Sequence, residues 1–263
     1  MMTFDLTGKK AIVCGSSQGI GKATAIKFAE SGAEVTLIAR DEMKLQSVLS
    51  ELDSSNGRKH SYIVADFSHP DQLRGKLSEF MTDGKIINIL VNNTGGPMAG
   101  EAINADTSQF ISAFTNHLIC NQVLVQSIVE GMKKSGYGRI INIISTSVKQ
   151  PLKGLGVSNT IRGAVASWSK TLANELGQFG ITVNNILPGA TKTERLFSLF
   201  KTKSETSGKA VEEVEAEWLK EIPAGRFAEP EELANAITFL ASPMASYING
   251  INLPVDGGRT GCL

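Results

Sequence analysis

The stretch CGSSQGIGKA holds the first residues whose types and spacing suit chemistry. Gly15, Gly19 and Gly21 let a backbone turn tightly and approach a pyrophosphate, and the N-terminus of a following helix favours the negative charge. Ser17, Gln18 and Ile20 complete the turn and are assigned with the glycines to cofactor binding. The spacing is GxxxGxG, not the GxGxxG of the common dinucleotide fingerprint. Packing alone also puts glycines at strand-to-helix turns, so the reading rests on context: an apolar run before the turn and a helical pattern after it.

The next apolar run, AEVTLIA, leads into Arg40, with Asp41 behind it. A site for NAD holds the ribose 2′-hydroxyl with an acidic residue near this place. A guanidinium pairs instead with a 2′-phosphate. The expected cofactor is NADP(H), with NAD(H) as second choice; the alternative is an Arg40 that is merely solvated.

These residues need a scaffold, and the chain supplies one. Short β-branched runs (KKAIVCG, AEVTLIA, HSYIVAD, INILVNN, GRIINII, GITVNNILP and a late INGINLPVD) alternate with amphipathic stretches such as IGKATAIKFAESG, which Gly32 closes. Alternation of this kind implies an α/β fold: a doubly wound parallel sheet with helices on both faces, binding ligands beyond the carboxyl ends of the strands. With no repeats or linker-like shifts, residues 1–263 read as a single domain. Residues 194–220 break the rhythm as one or two helices around a Ser/Gly/Lys-rich break, either a lid-like excursion over the site or an ordinary solvated one.

Composition excludes other classes. Lys+Arg and Asp+Glu both total 26, so the basic excess of a nucleic-acid binder is missing. No apolar run approaches the ~18 residues of a membrane span, and no signal peptide is visible. Cys14, Cys120 and Cys262 form no CxxC pair, no His/Cys/Asp cluster has metal-ligand spacing, and no metal is expected. A reducing cytoplasm fits.

Several motifs, CGSSQGIG, ADF at 65–67, NNTG at 92–95, Ser145 at a strand end, LPG at 187–189 and the tail PEELANAITFLAS…INGINLPVDGG, resemble the short-chain dehydrogenase/reductase family over essentially the whole chain. The likeness is greatest to its 3-oxoacyl-(acyl carrier protein) reductases. It implies a Rossmann-like fold, NADP(H)-dependent hydride transfer to a ketone or 3-oxoacyl carbonyl in fatty acid metabolism, a small-molecule carbonyl substrate, and a homo-oligomer, dimer or tetramer. It places Asp66 and Phe67 at the adenine, the backbone of Asn92 and Gly95 along the cofactor, and Pro188, Gly189 and Thr193 at the nicotinamide carboxamide. Cys14 stands where the family has threonine.

The likeness fails at the catalytic tetrad of Asn, Ser, Tyr and Lys. Ser145 matches the serine; Ser158 falls at the tyrosine, Arg162 at the lysine and His117 at the asparagine. The stretch VSNTIRGA therefore offers nothing that titrates near neutrality. A serine cannot replace the phenol, whereas Arg162 can hold ribose hydroxyls and stabilise developing negative charge but donates protons poorly. Three outcomes stay open: hydride transfer with another donor (His117, Lys149, Lys153 or water), a dinucleotide-binding pseudoenzyme or regulatory subunit, or a carbonyl activated differently in an isomerase or lyase.

Overall fold

The structure is a computed structural model describing residues 4–82 and 84–262. Each apolar run becomes a strand: β1 (Lys10–Cys14), β2 (Glu34–Ala39), β3 (Ser61–Val64), β4 (Ile89–Asn92), β5 (Gly138–Ile143), β6 (Ile181–Pro188) and β7 (Asn252–Val255). They form one parallel sheet in the order β3-β2-β1-β4-β5-β6-β7. This is the doubly wound single domain expected.

The strands are apolar on both faces because both are covered. Ala11 and Val13 point to one side, where α1 (Gly19–Glu30), α2 (Glu42–Glu51) and α9 (Pro230–Ala241) pack. Ile12 and Cys14 point to the other, beneath α3 (Pro70–Phe80), α5 (Cys120–Ser135) and α6 (Gly156–Leu176). Side chains such as Phe28, Leu37, Leu73 and Leu90 are fully buried, and each contributes about 1.5–3 kcal/mol.

Winding reverses between β1 and β4. Val13 pairs with Val91 across that boundary, so the chain leaves the sheet at Gly15 and at Asn93 side by side. The crevice of a doubly wound sheet opens at such a point.

Residues 194–220 form α7 (Glu194–Ser207) and α8 (Val211–Lys220), broken at Gly208, whose φ is 71°. They have a small core of their own. Fully buried Phe200 meets Trp218 edge to face at 5.3 Å, above Leu196, Val214, Ile222 and Phe227. Among the described residues no helix is long and apolar enough to cross a membrane.

Candidate functional site

The glycine turn shapes the crevice. Gly15 and Gly19 have φ of 59° and 55°, in the left-handed region open to glycine. A Cβ on Gly15 would stand 2.7 Å from the Asn93 main-chain oxygen, and one on Gly21 would stand 2.2 Å from the Gly15 oxygen. The Asn93 amide reinforces the turn, its Nδ2 donating to the main-chain oxygens of Cys14 and Gly15, both at 3.3 Å. Gln18, before α1, makes no side-chain cap, and no acidic residue lies in the first turn, so the helix N-terminus keeps donors for an anion.

A groove of about 550 Å³ runs from this turn. Ten of the residues assigned to the cofactor line it: Gly15, Ser17, Gln18, Gly19, Ile20, Arg40, Asp66, Phe67, Gly95 and Thr193. Arg40 is exposed and in no ion pair among the described residues. The Asp41 carboxylate beside it caps α2, accepting from Lys44 N at 3.1 Å. That carboxylate is thus committed to the helix and leaves this wall to Arg40 and Lys44, whose Nζ reaches Gln18 Oε1 at 3.1 Å. Bonds from Ser68 hold the Asp66 carboxyl below the usual range, and the charge of Arg40 adds to the effect.

Asn92, Gly21, Pro188, Gly189 and Arg162 do not line the groove. Gly21 and Gly189 act by close packing; a Cβ on Gly189 would be 2.6 Å from Asp256 Cα. Asn92 turns into the sheet and heads a row of four asparagines in register across β4 to β7. Asn92 donates to Asn142 at 2.8 Å, Asn142 to Asn185 at 3.0 Å, and Asn185 to Asn252 at 2.7 Å. The neighbouring Asn93 is the asparagine on the wall.

Beyond the glycine turn, β5, α6 and the α4–α5 junction converge. Ser145, two residues past β5, is half-buried; its Oγ accepts from Ser147 N at 3.1 Å, leaving its O–H free to donate. Arg162 sits one turn beyond Ser158 on α6 and is 7% exposed. Its Nη1 donates to the main-chain oxygen of Ile143 at 2.9 Å. Half-buried Ser158 makes no side-chain hydrogen bond among the described residues. Burial and the like charge of Arg195 lower the Arg162 pKa only to about 10, so it is cationic at neutral pH.

α4 (Thr107–Phe114) runs into α5 through a π-helical turn, Thr115–Ile119. Such turns insert an extra residue into a helix and recur at functional sites. His117 lies in it, 2% exposed. Burial first, then Arg162, push its pKa down to about 2 against a hydrogen bond with the Gly95 backbone. The ring is therefore neutral at pH 7, and the ordinary imidazole pKa that motivated it as a proton donor does not hold here. Lys149 is half-buried just past the Ser145 turn, and Lys153 is exposed.

Groove residues that received no role from the sequence include Lys44, Asn93, Asn116 and Arg195. Asn116 lines both the groove and an adjoining cavity of about 350 Å³, and its Oδ1 is buried without a partner. It precedes His117 by one residue, and the π turn lets both reach the cleft.

The family model described as enoyl-(acyl carrier protein) reductase matches residues 15–260. The chain belongs to the short-chain dehydrogenase/reductase family. It is 31% identical over 259 residues to the 3-oxoacyl-[acyl-carrier-protein] reductase of Chlamydia pneumoniae, covering 98% of this chain and 100% of that one. The L-sorbose reductase of Gluconobacter frateurii, solved with NADPH and L-sorbose, superposes with a TM-score of 0.92 at 31% identity, covering 100% of both chains. An NADPH-dependent reductase involved in bacilysin biosynthesis superposes with a TM-score of 0.90 at 26% identity, covering 97% of this chain and 99% of that one. In this short-chain dehydrogenase/reductase, the loop at 98–105 is tied down at its Gly100: Gly100 N donates to Gly154 O at 2.7 Å and Gly156 N to Gly100 O at 2.9 Å. Gly156 permits the approach, since a Cβ there would stand 2.3 Å from Ala102 N.

Proposed function

We propose that this protein is an NADP(H)-dependent oxidoreductase that reduces a ketone or 3-oxoacyl carbonyl through an altered proton relay. The observation that carries the proposal is the groove itself, with a glycine turn at one wall and Arg40 at another, while the carboxylate of the next residue, Asp41, is engaged in capping α2. The residues fit the cofactor: a Cβ at Gly15 or Gly21 would close the cradle, and Arg40 is a cation without an ion-pair partner among the described residues. The glycine turn and α1 would take the pyrophosphate, Arg40 and Lys44 the 2′-phosphate. Structural relatives solved with NADPH support the same choice.

When bound, the cofactor supplies the hydride. The chain supplies the rest. Ser145 donates its hydroxyl hydrogen to the substrate oxygen. Arg162, held at the end of β5, places a permanent positive field where negative charge develops. In this reading Ser158 and Arg162 occupy the places of the family's tyrosine and lysine, and neither releases a proton near neutrality. With His117 neutral, the proton reaches the nascent alkoxide from water, and Arg162 makes that oxygen less basic meanwhile. Losing a positioned general acid costs roughly 10²–10⁴ in rate, which positioning and electrostatics partly offset. α7 contributes Arg195 to the groove wall.

The second reading, a dinucleotide-binding protein without turnover, is favoured by that same lack of a proton exchanger. Following NADPH oxidation with 3-oxoacyl and quinone substrates separates the two. Turnover supports the reductase; tight NADPH binding with none supports the second reading. Restored activity in Ser158→Tyr with Arg162→Lys would localise the defect to the relay.

A further inference from the structure

The cavity of about 350 Å³ adjoins the groove and shares Gly95, Gly96 and Asn116 with it. Val157, next to Ser158 in the chain, lines it too. Its volume suits the body of a small molecule whose carbonyl lies toward the groove.

The lining is of two kinds. Ser108 and Ser112 stand one turn apart on α4, Gln109 lies beside them, and Asn116 follows in the π turn. None of these four side chains makes a hydrogen bond among the described residues, and the Asn116 Oδ1 is buried. Pro97, Met98, Ala113 and Val157 supply apolar surface. Among the described residues no charged side chain lines the cavity, and His117, which does line it, is neutral at pH 7.

Such a lining offers no counter-ion. It suits a bare hydrocarbon poorly as well. An acyl chain lying there would take water from the α4 hydroxyls and return no hydrogen bond, and the Asn116 oxygen would stay unpaired. A molecule with hydroxyls on one face and C–H groups on the other meets both kinds of lining.

We propose that the cavity receives a hydroxyl-bearing ketone. One of its hydroxyls donates to Asn116 Oδ1, and others exchange hydrogen bonds with Ser112 and Ser108. The inference rests on the reductase reading above and narrows its choice of substrate from ketone or 3-oxoacyl group to a polyhydroxy ketone.

The test is calorimetric titration into protein saturated with NADP⁺, with L-erythrulose, 2-butanone and ethyl acetoacetate as probes. The first two share a carbon skeleton and differ in their hydroxyls; the third is a 3-oxoacyl ester. L-Erythrulose is expected to bind about tenfold or more tightly than either of the others, because a site built around a hydroxyl rejects the analogue lacking it. Ser112→Val, on an exposed position, is expected to cut that ratio by about threefold or more, and Asn116→Leu to do the same. Equal binding of the three probes overturns the proposal and leaves water as the partner of Asn116. No binding of any probe, or a ratio that Ser112→Val leaves unchanged, overturns it too. A matching loss of NADP⁺ affinity in Asn116→Leu assigns that amide to the cofactor and also counts against it. Because the readout is binding, absent turnover would count against hydride transfer alone. Turnover of 2-butanone as efficient as that of L-erythrulose would count against the hydroxyl site alone.

Discussion

Arg162 donates from Nη1 to the main-chain oxygen of Ile143 at 2.9 Å, fastening α6 to the end of β5 two residues before Ser145. A buried cation held by one neutral acceptor contributes little to stability and much to the local field. Arg162→Met is therefore expected to leave the unfolding free energy within about 1 kcal/mol of the parent, or above it. Turnover is expected to fall roughly 10²-fold or more, as when an oxyanion donor is removed. Denaturant unfolding paired with steady-state rates checks both halves. Unchanged turnover in a stable variant would remove Arg162 from the chemistry.

At the other wall, Arg40 is in no ion pair among the described residues, and Asp41 beside it caps α2. Arg40→Ala should weaken NADPH binding by about tenfold to a hundredfold, the worth of a charged hydrogen bond, and change NADH binding much less. Titration of both nucleotides into parent and variant measures it. An equal loss for both would show that Arg40 does not read the 2′-phosphate.

His117 gives a pH signature. Its folded pKa of about 2 lies below its ordinary 6.5, because burial and Arg162 disfavour the charged ring. Between those values the unfolded chain binds more protons than the folded one. The stabilisation is complete above the ordinary value and is lost as pH falls toward the folded one, at about 1.4 kcal/mol per pH unit. From pH ~6.5 to ~5 the parent should lose roughly 2 kcal/mol more than His117→Asn. Urea unfolding across that range is the check, and parallel slopes would show that the ring is not buried neutral.

The asparagine row makes a structural prediction. Asn142 donates to Asn185 and accepts from Asn92 inside the sheet. Asn142→Leu strands both neighbours without that partner, at a cost of roughly 2–4 kcal/mol. Thermal or denaturant unfolding reads it. A neutral substitution would mean that the row is dispensable.

Much of this was legible in the sequence. Every β-branched run became a strand, because a sheet covered on both faces demands continuous apolar segments. The glycine turn was legible because glycine alone takes the left-handed φ of 59° and 55° at Gly15 and Gly19 without strain, and no side chain fits the contacts below 3 Å at Gly15 and Gly21. The site was less so where side-chain direction decides. Asn92 and Asn93 are adjacent on one strand end and point opposite ways, one into the asparagine row and one to the glycine turn. Asn116 was hidden by the π turn, whose extra residue no regular helical count anticipates. Arg195 lies in a segment that read equally as a lid-like excursion or a solvated one, although a basic residue two positions past Thr193 was the available signal. The pKa of His117 depends on burial by α-helical neighbours and on a charge from α6, neither of which spacing reveals.

The central claim is a groove made for a 2′-phosphorylated pyridine nucleotide, and calorimetric titration of the parent protein with NADPH and NADH tests it most directly. Saturable heat is expected from both, with NADPH the tighter by about tenfold or more. No heat from either nucleotide, or tighter binding of NADH, would contradict it.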